Sequence, residues 1–125
     1  EDSDATYMSG PEMQVLDDAA HRDGQSRLTA AGANYGLDAA PAGVVKPAGE
    51  WNAVRLVVNG PHVEHWLNGV KVVEYDLWTP AWEAKVADTK FAQWPGYGRA
   101  RAGHIALQDH GDRVAYRNIR IRVLP

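Results

Sequence analysis

Between Trp51 and Tyr75 the chain alternates apolar and polar positions. Trp51, Val54, Leu56 and Val58 interleave with Asn52, Arg55 and Asn59, close to the period of two that marks a half-buried strand. Asn59-Gly60 then predicts a two-residue hairpin turn, because both residues tolerate positive φ. The chain returns as His62 to Leu67, and a second pair, Asn68-Gly69, leads into Val70 to Tyr75. Three antiparallel strands in sequence order, a β-meander, are the strongest expectation from the pattern. Within it His65 shares a face with Val63 and Leu67, as a core histidine would, whereas Trp66 shares the other face with Glu64.

Weaker patterns flank the meander. Ser9-Gly10-Pro11 is a turn signal that should release the chain into a strand over Glu12 to Leu16. Asp17 to Gly24 is polar and reads as a loop with a helical turn, and residues 25–46 read as a long ordered loop anchored by Tyr35 and Leu37. In the aromatic-rich stretch 77–101, residues 81–87 predict a short helix. The last two predicted strands are 103–108 and 115–123, joined by Asp109-His110-Gly111-Asp112. In the final strand Ile119, Ile121 and Val123 share a face with Arg117, opposite Asn118, Arg120 and Arg122. The sum is an antiparallel all-β domain.

At 125 residues one domain is expected. The net charge is −3, with 13 Lys and Arg scattered among 16 Asp and Glu, so no basic stripe suggests nucleic acid as a partner. No apolar run is long enough for membrane insertion, and the opening Glu1-Asp2-Ser3-Asp4 has neither the charge nor the apolar segment of a signal peptide. Cysteine is absent, which removes disulfides and thiolate metal sites without deciding the compartment. Five Trp and five Tyr supply rings with a polar handle, of the kind that lines sugar-binding surfaces as well as cores.

Five stretches occur in a specific order: Ser9 to Asp17, Pro47 to Asn52, His65-Trp66-Leu67-Asn68-Gly69, Gly103 to Gly111, and Tyr116 to Ile121. Together they resemble the 3-keto-disaccharide hydrolase family. The resemblance implies a jelly-roll β-sandwich of the concanavalin A-like lectin/glucanase type in a bacterial carbohydrate-processing protein, periplasmic or secreted. The family's strands that precede the Ser9 stretch have no counterpart here. The resemblance therefore implies an incomplete sandwich, either a fragment of a longer domain or a chain completed by a homodimer or by a partner chain that donates strands. It also implies cleavage of 3-keto-glycosides by elimination and then hydration across the sugar's C1–C2 bond. Such a site needs a base for the acidified C2 proton, an acid for the leaving group, and cationic or metal help for the enolate.

Candidates for these roles follow from residue type and position. Glu12, Gln14 and Asp17 would share a face if a bulge followed Val15, in a pattern similar to the catalytic strand of laminarinase-like glycosidases, although Gln14 cannot act as a carboxylate. Gln108 and His110 sit at the exit of a predicted strand, where His110 could be base, acid or metal ligand. Arg117, on an apolar face, calls for a buried carboxylate such as Glu12 or Asp17. Glu12, Asp17, His110 and Arg117 are thus the catalytic candidates, and Gln14, Gln108, Trp66, Tyr35 and His65 the substrate-binding ones. His21, Arg55 and Trp94 form a second rank beside Tyr35. A divalent metal held by His110 with Glu12 or Asp17 stays open, since no compact ligand motif specifies one. So do a non-catalytic sugar-binding module and a structural or interaction protein.

Overall fold

The computed structural model describes residues 5–125, so the acidic opening Glu1 to Asp4 lies outside the described residues. The centre is the predicted meander: β1 (Val54–Asn59), β2 (His62–Leu67) and β3 (Val70–Asp76) form an antiparallel sheet in the order β1-β2-β3. Asn68 and Gly69 both take positive φ and close the β2–β3 hairpin as expected. The β1–β2 turn falls one residue later than predicted. Asn59 pairs with His62, so the loop is Gly60-Pro61, with only Gly60 at positive φ. Glycine at the first central position, followed by a residue whose ring presets negative φ, suits the other common hairpin turn.

One face of β2 and β3 is buried. Val63, Leu67, Val73 and Tyr75 on that face join Val72, beside the irregularity between His65 and Trp66, in a single core. Opposite them pack Ala31, Ala33, Leu37 and Ala40 from the long loop, Trp82 and Val86 from α1 (Pro80–Ala87), and Phe91 and Tyr97 beyond it. The helix starts as its sequence dictates: Thr79 Oγ1 accepts from the Trp82 N–H, and Pro80 occupies the first turn, where no N–H is needed. Tyr75, Trp82, Tyr97 and Phe91 stack in series, with centroids 5.3, 6.3 and 4.3 Å apart. No helix among the described residues is long and apolar enough to cross a membrane.

The pattern overstated strand content elsewhere. Glu12 to Leu16 makes a single bridge, Met13 to Asn34, supported by backbone hydrogen bonds of residues 12 and 14 with residues 32, 33 and 35. Residues 103–108 and 115–123 form no strands. Both stretches are exposed, with Ile105, Leu107, Ile119, Ile121 and Val123 in solvent. A strand is defined by its neighbour: without a second backbone to take the N–H and C=O groups, an alternating sequence stays extended and hydrated. β1 tells the same story from the sheet side. Val54, Leu56 and Val58 are cross-strand neighbours of Leu67, His65 and Val63, yet they are about half exposed, Val54 beside a small hollow that it shares with Leu16, Val45 and Leu67.

Candidate active site

Two remote segments meet at Glu12. Its backbone is held by the Tyr35 N–H, which donates to the Glu12 carbonyl at 3.0 Å, and the Glu12 carboxylate accepts a hydrogen bond from the Gln108 side chain. The Gln108 amide is thus used at both ends, since its Oε1 accepts from Thr6 Oγ1 at 3.4 Å. Burial raises the Glu12 pKa above the ordinary carboxylate value, while the Lys90 and His110 charges and the Gln108 hydrogen bond pull it back. Glu12 therefore combines raised basicity with neighbours that keep its anion accessible.

Near Glu12 a series of polar and aromatic contacts runs from His110 to Lys90. The His110 imidazole lies edge-on to His21, centroids 6.4 Å apart. His21 Nδ1 accepts from the backbone N–H of Asp23 at 3.1 Å. The Asp23 carboxylate accepts from the Tyr35 hydroxyl at 3.4 Å, and Lys90 Nζ sits 4.6 Å from the Tyr35 ring centroid. Lys90 then acts back on Glu12. Burial, followed by the Asp23 charge and hydrogen bond, raises the Tyr35 pKa and holds its hydroxyl as a donor.

The loop carrying His21 and Asp23 is rigid for local reasons. Asp18 Oδ1 accepts from the Ala31 N–H at 2.7 Å and Asp18 Oδ2 from Arg27 at 3.0 Å, tying both ends of the loop together. Gly24 passes so close to Asp18 that a Cβ would lie 2.2 Å from the Asp18 carbonyl oxygen, so only glycine fits. The 3-10 turn Arg22–Gln25 follows, with His21 as its cap.

Of the nine candidate residues, Glu12, Gln108, His110 and Tyr35 come together and five do not. The Asp17 carboxylate accepts from the Ala19 N–H at 3.1 Å, a local turn cap, and the single bridge at Met13 gives no strand there to bulge after Val15. The Gln14 side chain donates to the Thr29 carbonyl at 3.1 Å and lines a small hollow with Leu16, Asn52 and Leu67. Arg117 is exposed and stacks on Trp51 at 3.9 Å instead of meeting a buried carboxylate. A ring face solvates a guanidinium without desolvating it, which explains why the apolar register did not bury it. His65 is 1% exposed and cannot reach a ligand. Its Nδ1–H donates to the Gly32 carbonyl at 3.1 Å, the Tyr75 hydroxyl lies 3.4 Å from its Nε2, and burial lowers its pKa. Trp66 faces the far side of the sheet, where Arg55 lies 4.2 Å over its ring and its N–H donates to Glu64 at 2.7 Å. The surface hollow there, about 330 Å³, is lined by Ala53, Val54, Arg55, Trp66 and Gly69, away from Glu12. Trp94 packs edge-on against Tyr7 beside the site, with centroids 5.6 Å apart.

Asp23 and Lys90 were not legible as site residues. Asp23 sits in a polar run with no period and Lys90 opens a 3-10 turn, Lys90–Gln93, in the aromatic-rich stretch; only tertiary packing places them beside Tyr35. Among the described residues the ligand atoms of His62, Glu64 and Glu74 lie within 4.8 Å of one another, on the far face of the meander. Lys71 already pairs with both glutamates, and the hydrogen bond to Asp76 favours protonated His62, so an ion there would have to displace a lysine and a proton. Glu12, Asp17 and His110 form no comparable group.

The described residues thus form a three-stranded antiparallel sheet packed under a long loop, with a half-buried carboxylate, Glu12, in the segment that bridges to that loop. The chain belongs to the family of 3-keto-alpha-glucoside-1,2-lyase-like domains, whose sequence profile matches residues 1–122. It is 38% identical over 131 aligned positions to the 3-keto-disaccharide hydrolase of Bacteroides thetaiotaomicron, covering 94% of this chain and 45% of that protein. Its fold is similar to that of a candidate glycosyl hydrolase from Parabacteroides distasonis, with a TM-score of 0.68 and 29% identity over 78% of this chain and 48% of the other. The chain thus spans about half the length of these relatives.

Proposed function

We propose that the chain carries part of an active site that cleaves 3-keto-glycosides by elimination and then hydration across C1–C2. The observation that carries this reading is a half-buried carboxylate, Glu12, whose pKa burial raises while Lys90, His110 and Gln108 all act to lower it.

In this reading the Glu12 carboxylate removes the C2 proton, which the neighbouring ketone has acidified, and the C–H electron pair moves into the enolate. The enolate collapses back to the ketone, a C1–C2 double bond forms, and the C1–O bond breaks. His110, carrying a proton, delivers it to the departing oxygen. Water then adds across the double bond, hydroxyl to C1 and proton to C2, which restores the 3-keto sugar. Gln108 orients Glu12, and Lys90 keeps its carboxylate ionisable despite burial. The relatives' names, a lyase-like domain and a 3-keto-disaccharide hydrolase, agree with this chemistry.

The half-exposed face of Val54, Leu56 and Val58, together with the exposed alternation of residues 103–123, supports a jelly-roll sandwich as the complete fold, its second sheet supplied from outside these residues. The test of the function is turnover of a 3-keto-disaccharide. Activity that is lost in both Glu12→Gln and His110→Ala supports it. Sugar binding with no turnover by the wild type replaces it with a non-catalytic binding module.

A further inference from the structure

His21 was a second-rank candidate from sequence, yet its hydrogen bonding fixes its chemistry more tightly than that of the other imidazole at the site. A backbone N–H can only donate, so the Asp23 N–H at 3.1 Å requires a bare lone pair on His21 Nδ1. The ring is then neutral, with its proton on Nε2. Nε2 has no hydrogen-bond partner among the described residues, the side chain is about one quarter exposed, and the ring lies edge-on to His110 at 6.4 Å. The result is a held, partly desolvated donor in the series of contacts near Glu12, and the same tautomer leaves Nε2 no lone pair with which to ligate a metal.

We propose that His21 is a substrate-facing hydrogen-bond donor, whose neutral Nε2–H binds the ligand's carbonyl oxygen as negative charge develops on it. The proposal rests on the reading above, in which that oxygen is the C3 ketone. A neutral donor suits this task because it stabilises the enolate without surrendering its proton to it. The Asp23 N–H cap is what keeps the donor in place, and the snug contact of Gly24 with Asp18 keeps the cap in place.

Two measurements on the full chain test this. Long-range ¹H–¹⁵N correlations of the histidine rings read the tautomers, with His65 as an internal contrast because its Nδ1–H donates to the Gly32 carbonyl. Protonated Nε2 in His21 and protonated Nδ1 in His65 are expected at neutral pH. A protonated Nδ1 in His21 overturns the proposal. The second measurement is turnover of a 3-keto-disaccharide by His21→Asn, whose Oδ1 can still cap Asp23 but which has no group at the Nε2 position. An unchanged Tm with kcat down at least about tenfold and KM little altered is expected, since oxyanion-type donors act on the transition state. An active wild type matched by an equally active His21→Asn overturns the role of His21 alone. A wild type that leaves the sugar untouched overturns the functional reading and the role of His21 together.

Discussion

Gln108 donates to the Glu12 carboxylate while its own carbonyl accepts from Thr6, so one amide ties an exposed, non-strand stretch of chain to the half-buried acid at the site. The link lowers the Glu12 pKa, against the burial that raises it. Removing the donor in Gln108→Leu takes a stabilising hydrogen bond from the anion and raises the Glu12 pKa further. The acid limb of kcat/KM against pH is expected to move to higher pH than in the wild type. An unmoved limb would show that Gln108 has no hold on the base.

Glu12→Gln separates function from stability. Burial raises the carboxyl's folded pKa above its unfolded value, so the stability this group contributes is present below the unfolded pKa and is lost as pH rises through the folded one. At neutral pH the ionised group is a burden, and the isosteric amide relieves it. Thermal melts are expected to show a Tm equal to or above that of the wild type, while turnover falls about 10²- to 10⁴-fold, the usual worth of a general base.

His65 governs acid sensitivity instead of activity. Burial lowers its folded pKa, so its contribution is present above the unfolded imidazole value of about 6.5 and is lost as pH falls through the folded value. Melting temperatures between about pH 7 and pH 5 should therefore drop less steeply in His65→Gln than in the wild type.

The two ends of the sheet face should respond unequally to truncation. Leu67 is buried in the core whereas its neighbour on the same face, Leu56, is half exposed. Denaturant titrations are expected to give a loss of about 2–5 kcal/mol for Leu67→Ala and within about 0.5 kcal/mol for Leu56→Ser. Gly24→Ala should cost about 1–3 kcal/mol by overpacking against the Asp18 backbone, with a loss of activity as His21 and Asp23 shift.

The meander was readable because its signal is local: alternation sets the faces, and Asn68-Gly69 sets the turn in the only geometry its two positive φ values allow. Pro61 moved the other turn by one residue, an effect that the Asn-Gly rule does not contain. Alternation in residues 103–108 and 115–123 specifies a face but not the strand that must lie beside it, and here no such strand is present among the described residues. At the site, Glu12, Gln108 and His110 were visible as polar residues at the ends of apolar runs. Arg117 was misplaced because its register promised burial, whereas Trp51 offered it an exposed ring. Asp23, on the loop, and Lys90, at the start of the 3-10 turn beyond α1, owe their positions to tertiary packing on Tyr35, which leaves no periodic trace.

The most direct measurement of the central claim follows the C2 hydrogen. A 3-keto-disaccharide deuterated at C2 is incubated with the wild type and with Glu12→Gln in ordinary water, and the label is read by NMR as the glycosidic bond breaks. Glu12 acting as the C2 base predicts that the wild type releases the deuterium to solvent while Glu12→Gln leaves it on the sugar and the bond intact. Cleavage by the wild type with the deuterium retained at C2 would contradict it.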